Sequence, residues 1–305
     1  MGRVQVLVAG GDLDDTIDRW FPSFPAADRI TVRMLMNMSS GIANPGQAQI
    51  DRICADPYST ITPDEMIAIG ALLPREPYAP GEGFTYSGFN TFILGRILEL
   101  TTGADLTTLF DTHLFGPLGM DRSRFAPDGQ LEAPLSHGYS LFCPTMPQPT
   151  DTTDWALHEA WVAGAVVSTI DDLRTWGLAL GAGSGLSPEM LLARITDVAP
   201  DSGPEGYGYG LGAVVHVDDA TGCALDISHA GAEPGYGSNV VWYSSGSVFA
   251  LVGNGDGGTG EAMVEVLRAL APVVTPLVIA EPTTSCRPAP APAPTAVAAT
   301  PQFTG

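Results

Sequence analysis

The chain predicts an α+β fold, on two observations. Helical signals, with capping residues and three- and four-residue apolar steps, fill its first two thirds. From about residue 207 the pattern changes to short runs rich in Val, Tyr and Ile, separated by turn clusters. Helices followed by a block of strands is the arrangement of α+β proteins. With 305 residues and 45 % hydrophobic side chains, there is enough apolar material for one large core or two smaller ones.

In chain order, residues 4–9 read as the last turns of a helix stopped by Gly10-Gly11, and Asp12 to Asp18 as an acidic turn. Pro22 and Pro25 mark a loop. Thr31 caps a short helix over 32–38, with Val32, Leu35 and Met36 on one face. Thr62 followed by Pro63 opens a helix running to about Leu73. Pro80-Gly81-Glu82-Gly83 is a turn, and a helix follows over about 87–101. Phe89, Phe92, Ile93, Ile97 and Leu100 give that helix one buried face, and Gly103 closes it.

A further helix is expected over about 105–115, ahead of Pro117-Leu118-Gly119-Met120. Residues 126–157 are polar and proline-bearing and predict an ordered excursion. Ser168-Thr169 caps a helix whose first turn carries Asp171 and Asp172, where negative charge meets the positive end of the helix dipole. Runs 207–216, 223–229, 238–244 and 247–253 predict a β-meander with Ser245-Gly246 as a hairpin turn. A helix is expected over 259–271. Residues 276–305 form a Pro/Ala-rich tail, extended or without fixed structure and a candidate spacer to a cell wall.

The net charge is −21, and all thirteen basic residues are arginine. This balance argues against nucleic acid, which needs clustered cationic side chains, and against an anionic membrane surface. The apolar stretch 262–280 is broken by Glu265, Arg268, Pro272 and Pro276 and does not predict a membrane span. Met1-Gly2-Arg3-Val4 does not open a secretory signal. Four cysteines, Cys54, Cys143, Cys223 and Cys286, allow two disulfides in three pairings, or four thiols. His113, His137, His158 and His216 stand apart, and His158-Glu159 lacks the second histidine of a zinc helix, so no metal is expected. Neither a Gly-x-Ser-x-Gly elbow, nor a phosphate loop, nor a dinucleotide fingerprint occurs.

Two segments carry chemistry. Residues 84–90 read Phe-Thr-Tyr-Ser-Gly-Phe-Asn, and residues 228–235 read Ser-His-Ala-Gly-Ala-Glu-Pro-Gly. With Gly11-Asp12-Leu13-Asp14-Asp15, Ile30-Thr31-Val32-Arg33 ahead of Ser40-Gly41-Ile42, Pro80-Gly81, Pro117-Leu118-Gly119-Met120, Ala163-Gly164 with Ser168-Thr169, and Tyr209-Gly210-Leu211-Gly212, they resemble the serine β-lactamase and penicillin-binding-protein superfamily. The likeness is to its class C β-lactamase, D-alanyl-D-alanine carboxypeptidase and esterase branch. Each match is weak alone, but their order over some 250 residues is specific.

The resemblance implies an antiparallel sheet flanked by helices, covering residues 1–275, plus a mainly helical region at about 28–165 and sheet strands at about 207–254, with the site between them. It implies an acyl-enzyme hydrolase acting on an ester, amide or lactam, with no cofactor and a small-molecule or peptide substrate. The family's nucleophile is the serine of Ser-x-x-Lys, placed before the position of Gly10-Gly11. With no lysine in the chain that pair cannot form, so the chain is expected to be N-terminally incomplete, inactive and poorly folding as it stands. The full-length form is expected to be secreted or in the cell envelope.

Residue by residue, Tyr86 matches the family's general base and proton shuttle, a role a phenol fills only where neighbouring cations favour its anion. Ser87 follows it. Gly88 stands where the family has an asparagine that holds the substrate's amide carbonyl, which leaves simple esters open. Asn90 matches a second asparagine, read chiefly as structural. His229 would offer a partly positive face to an anionic substrate group, Gly231 would let substrate lie along the strand, and the backbone N–H of Ala232 would be an oxyanion donor. His-x-Gly in place of Lys-Thr-Gly ranks esterase or carboxypeptidase-like action ahead of β-lactamase action. The alternative is a non-catalytic protein that binds a ligand or cell-wall peptide. Ser40 and Ser238 lack a base at motif spacing.

Overall fold

In the computed structural model the structure describes residues 12–256 except 129, 130, 132 and 157–159, and beyond them Met263, Glu265, Val266 and Ala269. The expected helix end at 4–9, Gly10-Gly11, His158, Cys286 and the tail from 276 lie outside the described residues. So does most of the segment 259–271, of which the four described residues are helical.

The first half is helical. A 3-10 turn at Ile17–Arg19 leads to α1 (Val32–Met36), capped by Thr31, whose hydroxyl accepts from Met34 N–H at 3.3 Å. Arg33 on α1 grips Asp14 with two N–H groups, at 2.8 and 3.0 Å, and also pairs with Asp197. One guanidinium thus joins the first turn, α1 and the end of a helix 160 residues on. α2 (Gln47–Ala55) buries none of its residues, so no apolar period marks it in the sequence. α3 (Pro63–Leu72) begins as expected, with Thr62 and Glu65 in a reciprocal capping box.

α4 (Gly88–Thr102) is the central helix. Phe89, Phe92, Ile93 and Ile97 are buried as predicted, but Leu100 is 51 % exposed, while Asn90, Thr91, Leu94, Gly95 and Leu98 are buried too. The helix is covered on more than one side: α1 and α3 pack on it, and so does the short helix Trp161–Gly164, so its buried surface is wider than one stripe and stops short of its last turn. The helix expected over 105–115 is broader at its middle. α5 (Leu106–Phe110), capped by Asp105, widens into a π-turn at Asp111–Phe115 and ends in α6 (Gly116–Leu118). Asp111 C=O accepts from Gly116 N–H, and a Cβ at Gly116 would approach that oxygen to 2.8 Å.

The excursion carries β1 (Arg124–Phe125), β2 (Tyr139–Ser140) and β3 (Thr150–Asp151), with β2 antiparallel to β3. After α7 (Trp161–Gly164), β4 (Val166–Val167) pairs with β1. α8 (Ile170–Ala182) starts at Thr169 as expected, and Asp172 in its first turn also accepts from Arg122 N–H at 3.0 Å and Ser123 Oγ at 2.7 Å. α9 (Pro188–Thr196) was not read from the sequence, although Ser187-Pro188 gives it a capped start.

Five antiparallel strands follow in simple order: β5 (Tyr207–Tyr209), β6 (Val214–Val217), β7 (Ala224–Glu233), β8 (Tyr236–Tyr243) and β9 (Val248–Gly253). The run 207–216, expected as one strand, is two, because the chain turns at Gly210–Ala213. β7 runs to Glu233 rather than stopping at 229. The Ser245-Gly246 turn is present, with Gly246 at φ 81°. α8 packs on β8 and β9, and it comes so close that a Cβ at Gly181 would overlap the Trp242 indole. No helix among the described residues is long and apolar enough to cross a membrane.

A disulfide joins Cys54 on α2 to Cys143 in the excursion, closing a loop of 89 residues. The Cys54→Ser, Cys143→Ser double variant is expected to lose about 2–4 kcal/mol of stability. Denaturant midpoints of the two proteins under non-reducing conditions check this.

Candidate functional site

The two chemistry-bearing segments are built on separate supports. Residues 84–90 are fastened to residues 38–44. Thr85 N–H donates to Met38 C=O at 3.1 Å, Ser87 Oγ donates to Ala43 C=O at 3.0 Å, and Asn44 Nδ2 donates to Tyr86 C=O at 3.0 Å. Asn90 closes this seam from inside. Its Oδ1 accepts from Ser40 Oγ at 2.5 Å, and its Nδ2 reaches Ser87 C=O at 3.2 Å and Met38 Sδ at 3.1 Å. Ser40, Ser87 and Asn90 are all fully buried. The structure gives Ser87 and Asn90 the work of holding the segment, the structural part that the sequence reading chiefly gave Asn90, and Ser40 is engaged as a donor there.

What this seam presents outward is Tyr86, 41 % exposed. Across from it stands β7. The Tyr86 ring lies 6.1 Å from the His229 ring and 5.8 Å from Tyr209, and the Phe84 ring lies tilted beside Tyr209 at 5.7 Å. Tyr209 is the residue that sequence reading missed: its hydroxyl is 2.9 Å from His229 Nε2. His229 Nδ1 sits 2.5 Å from Ala230 C=O, a contact that only an N–H satisfies, so Nδ1 carries a proton. Tyr209 can donate to a neutral Nε2 or accept from a protonated one, so it orients the ring in either charge state.

β6 reaches only to Ser228, and beyond it Ala230, Gly231 and Ala232 are exposed on β7. The strand edge is thus open where the resemblance places the oxyanion donor. Gly231 has a second reason to be glycine: a Cβ there would lie 2.7 Å from Ser238 Oγ on the paired strand. Gly88 lacks any such constraint, since a Cβ would meet only Ala163 Cβ at an ordinary 3.7 Å. There is room for a Cβ at that position, facing Ala163.

The other histidines stay away from this cluster. His137 Nδ1 pairs with Asp151 at 2.9 Å on the surface. His216 pairs with Asp226 at 2.9 Å and stacks on Tyr207 at 3.9 Å. His113 is exposed on the π-turn. Among the described residues no group of three His, Cys, Asp or Glu side chains is placed to hold a metal.

One acid near the site stands out. Glu233 ends β7 next to Ala232, and a Cβ at Gly164 would overlap its Oε1. The residue is partly exposed and neither carboxyl oxygen is sealed from solvent, while the protein packed around it pushes the carboxyl up to about 7.

The family model described as beta-lactamase matches residues 3–271, and the chain belongs to that family. A penicillin-binding protein of Bacillus subtilis is 25 % identical over 243 residues, covering 75 % of this chain and 52 % of the relative. A D-aminopeptidase of Brucella anthropi is 31 % identical over 120 residues, 39 % of this chain and 22 % of the relative. The chain thus spans about half, or less, of the length of these curated relatives. Among solved structures, a D-stereospecific amidohydrolase from Streptomyces superposes with a TM-score of 0.72 at 25 % identity, over 83 % of this chain and 79 % of that one. D-amino acid amidase from Ochrobactrum anthropi superposes at 0.73 over 88 % and 80 %, and at 24 % identity this likeness is one of fold.

Two outcomes follow from the geometry. Asn90→Ala leaves the buried Ser40 hydroxyl without its acceptor and is expected to cost about 1–3 kcal/mol, measured by equilibrium unfolding. Glu233 has a folded pKa above the ordinary 4.5, so the folded chain keeps a proton that the unfolded chain releases. Its contribution to stability is full below about pH 4.5 and declines as pH rises toward 7. Glu233→Gln is therefore expected to melt higher than the parent at pH 8 and alike at pH 4.

Proposed function

We propose that this chain forms the substrate-holding wall and proton-transfer part of a serine hydrolase that cleaves amides, with D-amino acid amides or short D-peptides ahead of esters and lactams. The observation that supports it most is the pairing of Tyr86 with His229, rings 6.1 Å apart, across an open strand edge. The likeness to a D-stereospecific amidohydrolase supports the amide over the lactam. In this reading the substrate carbonyl lies along Gly231-Ala232, where the Ala232 N–H points to the developing oxyanion. The space at Gly88 admits a substrate group that an asparagine there would meet first.

The reaction this wall serves is acyl transfer. A serine oxygen adds to the amide carbon, its proton passes through Tyr86 to the leaving nitrogen, and the C–N bond breaks. Water then adds to the acyl carbon, and the proton it gives up returns to the serine oxygen as the acid leaves. The 305 residues contain no lysine and so no Ser-x-x-Lys. Turnover in this reading needs that pair ahead of Asp12. An exported or cell-envelope location belongs to the same proposal, supported by the Cys54–Cys143 disulfide, since such bonds persist in oxidising compartments.

The test compares the 305-residue chain with a chain extended by the codons directly upstream in its own gene, using D-phenylalanine amide, a D-alanyl-D-alanine peptide, a nitrophenyl ester and a chromogenic lactam. The expected result is no turnover by the shorter chain, and amide hydrolysis by a longer one bearing Ser-x-x-Lys. In the longer chain Tyr86→Phe is expected to lower kcat by about 100-fold or more. Amide hydrolysis by the shorter chain would sink the acyl-serine route. A longer chain with Ser-x-x-Lys that leaves all four compounds intact would turn the reading to ligand binding.

A further inference from the structure

Glu233 lies four residues beyond His229 and one beyond Ala232 on the same open strand. Its Oε1 rests on Gly164, the last residue of α7, and the space left by Gly88 faces Ala163, the residue before. The two walls of the cleft therefore meet on one short turn, with a missing side chain on one side of it and a carboxyl on the other. α7 touches both α4 and β7, which keeps these three parts together.

That carboxyl does no structural work. Among the described residues no hydrogen bond or ion pair reaches it, and burial is the single cause of its shift. The acids that support this fold behave differently. Asp172 accepts from two donors, Asp14 from Arg33, and Asp256 from Ser140, Leu141 and Gly235. A carboxylate crowded by Gly164 and left without a partner is costly to keep charged, and either a proton or an incoming cation relieves the cost.

We infer that Glu233 is the anchor for a primary ammonium group on the ligand that lies along Gly231-Ala232. The inference rests on the proposed reading for where the ligand's carbonyl sits. Among the described residues no group of three His, Cys, Asp or Glu side chains includes Glu233, and a single carboxylate suits a monovalent organic cation rather than a metal ion. The amine of an α-amino amide is two bonds from its carbonyl carbon, close enough for one molecule to span the Ala232 N–H and the neighbouring Glu233 carboxyl. Glu233 is on this account a specificity-determining residue: it selects substrates with a free amino group over acylated ones.

The test is calorimetric titration of the full chain at pH 8 with D-phenylalanine amide and with its N-acetyl derivative, repeated on Glu233→Gln. The expected result is that the free amine binds about tenfold or more tighter than the acetylated compound, a difference of about 1.4 kcal/mol. Glu233→Gln should bring the two within about twofold by weakening the amine alone. Glu233→Asp, which keeps the charge on a shorter stem, should retain part of the preference. Equal binding of both compounds by the parent, or binding of neither, overturns the inference, as does a preference that survives in Glu233→Gln. Hydrolysis assayed separately keeps the two ideas apart. Amine-selective binding without turnover in the extended chain sinks the hydrolase reading and leaves the anchor standing, and turnover without amine selectivity does the reverse.

Discussion

The bond between Ser40 and Asn90 holds the site together. Two segments fifty residues apart meet there in a fully buried contact, and the side chains around it satisfy each other without solvent. Because Asn90 also reaches Ser87 C=O and Met38, the start of α4 and the end of the turn after α1 move as one piece. Tyr86 is the outward face of that piece. Its position is set by neighbours that never touch a ligand, and the polar groups that fix it are ones that cost free energy if left unpaired.

The opposite wall follows a different logic. β7 is long because β8 pairs with it from Asp226 to Glu233, while β6 leaves it after Ser228. The strand thus gains rigidity from one side and keeps a free edge on the other. Tyr209 comes from two strands away to fix the His229 ring, so the histidine is held by a side chain on one nitrogen and by backbone on the other. Helix and sheet walls are each preorganised alone, and they approach each other through aromatic rings, the α7 turn and the Gly212 N–H bond to Met36 C=O.

Much of this was legible from the chain. The helices with caps and one-sided apolar patterns, α1, α3, α4 and α8, and the strands with β-branched runs, declare themselves locally. α2 does not, because it buries nothing and so has no period to read. The end of β7 is hidden because Ala230-Gly231-Ala232 carries no strand preference, and its extended form comes from pairing with β8. Tyr86 and His229 were recognisable through their motifs. Tyr209 and Glu233 stand inside the quoted motifs with no role of their own until folding places His229 beside the first and Gly164 beside the second. Contacts that span twenty or seventy residues leave no trace in local pattern.

The excursion between residues 136 and 156 has a mechanical meaning. At one end Asp256 and Thr152 fasten it to the β7–β8 turn, through Ser140, Leu141, Gly235 and the Pro234 carbonyl. At the other, Cys143 is covalently tied to α2, the helix that follows Asn44 and its grip on Tyr86. A strap therefore runs from the strand wall to the helical wall. Walls joined in this way cannot drift apart in parallel. With Gly212 N–H held by Met36 C=O as a second tie between sheet and helices, the strap resists opening of the cleft from a separate point.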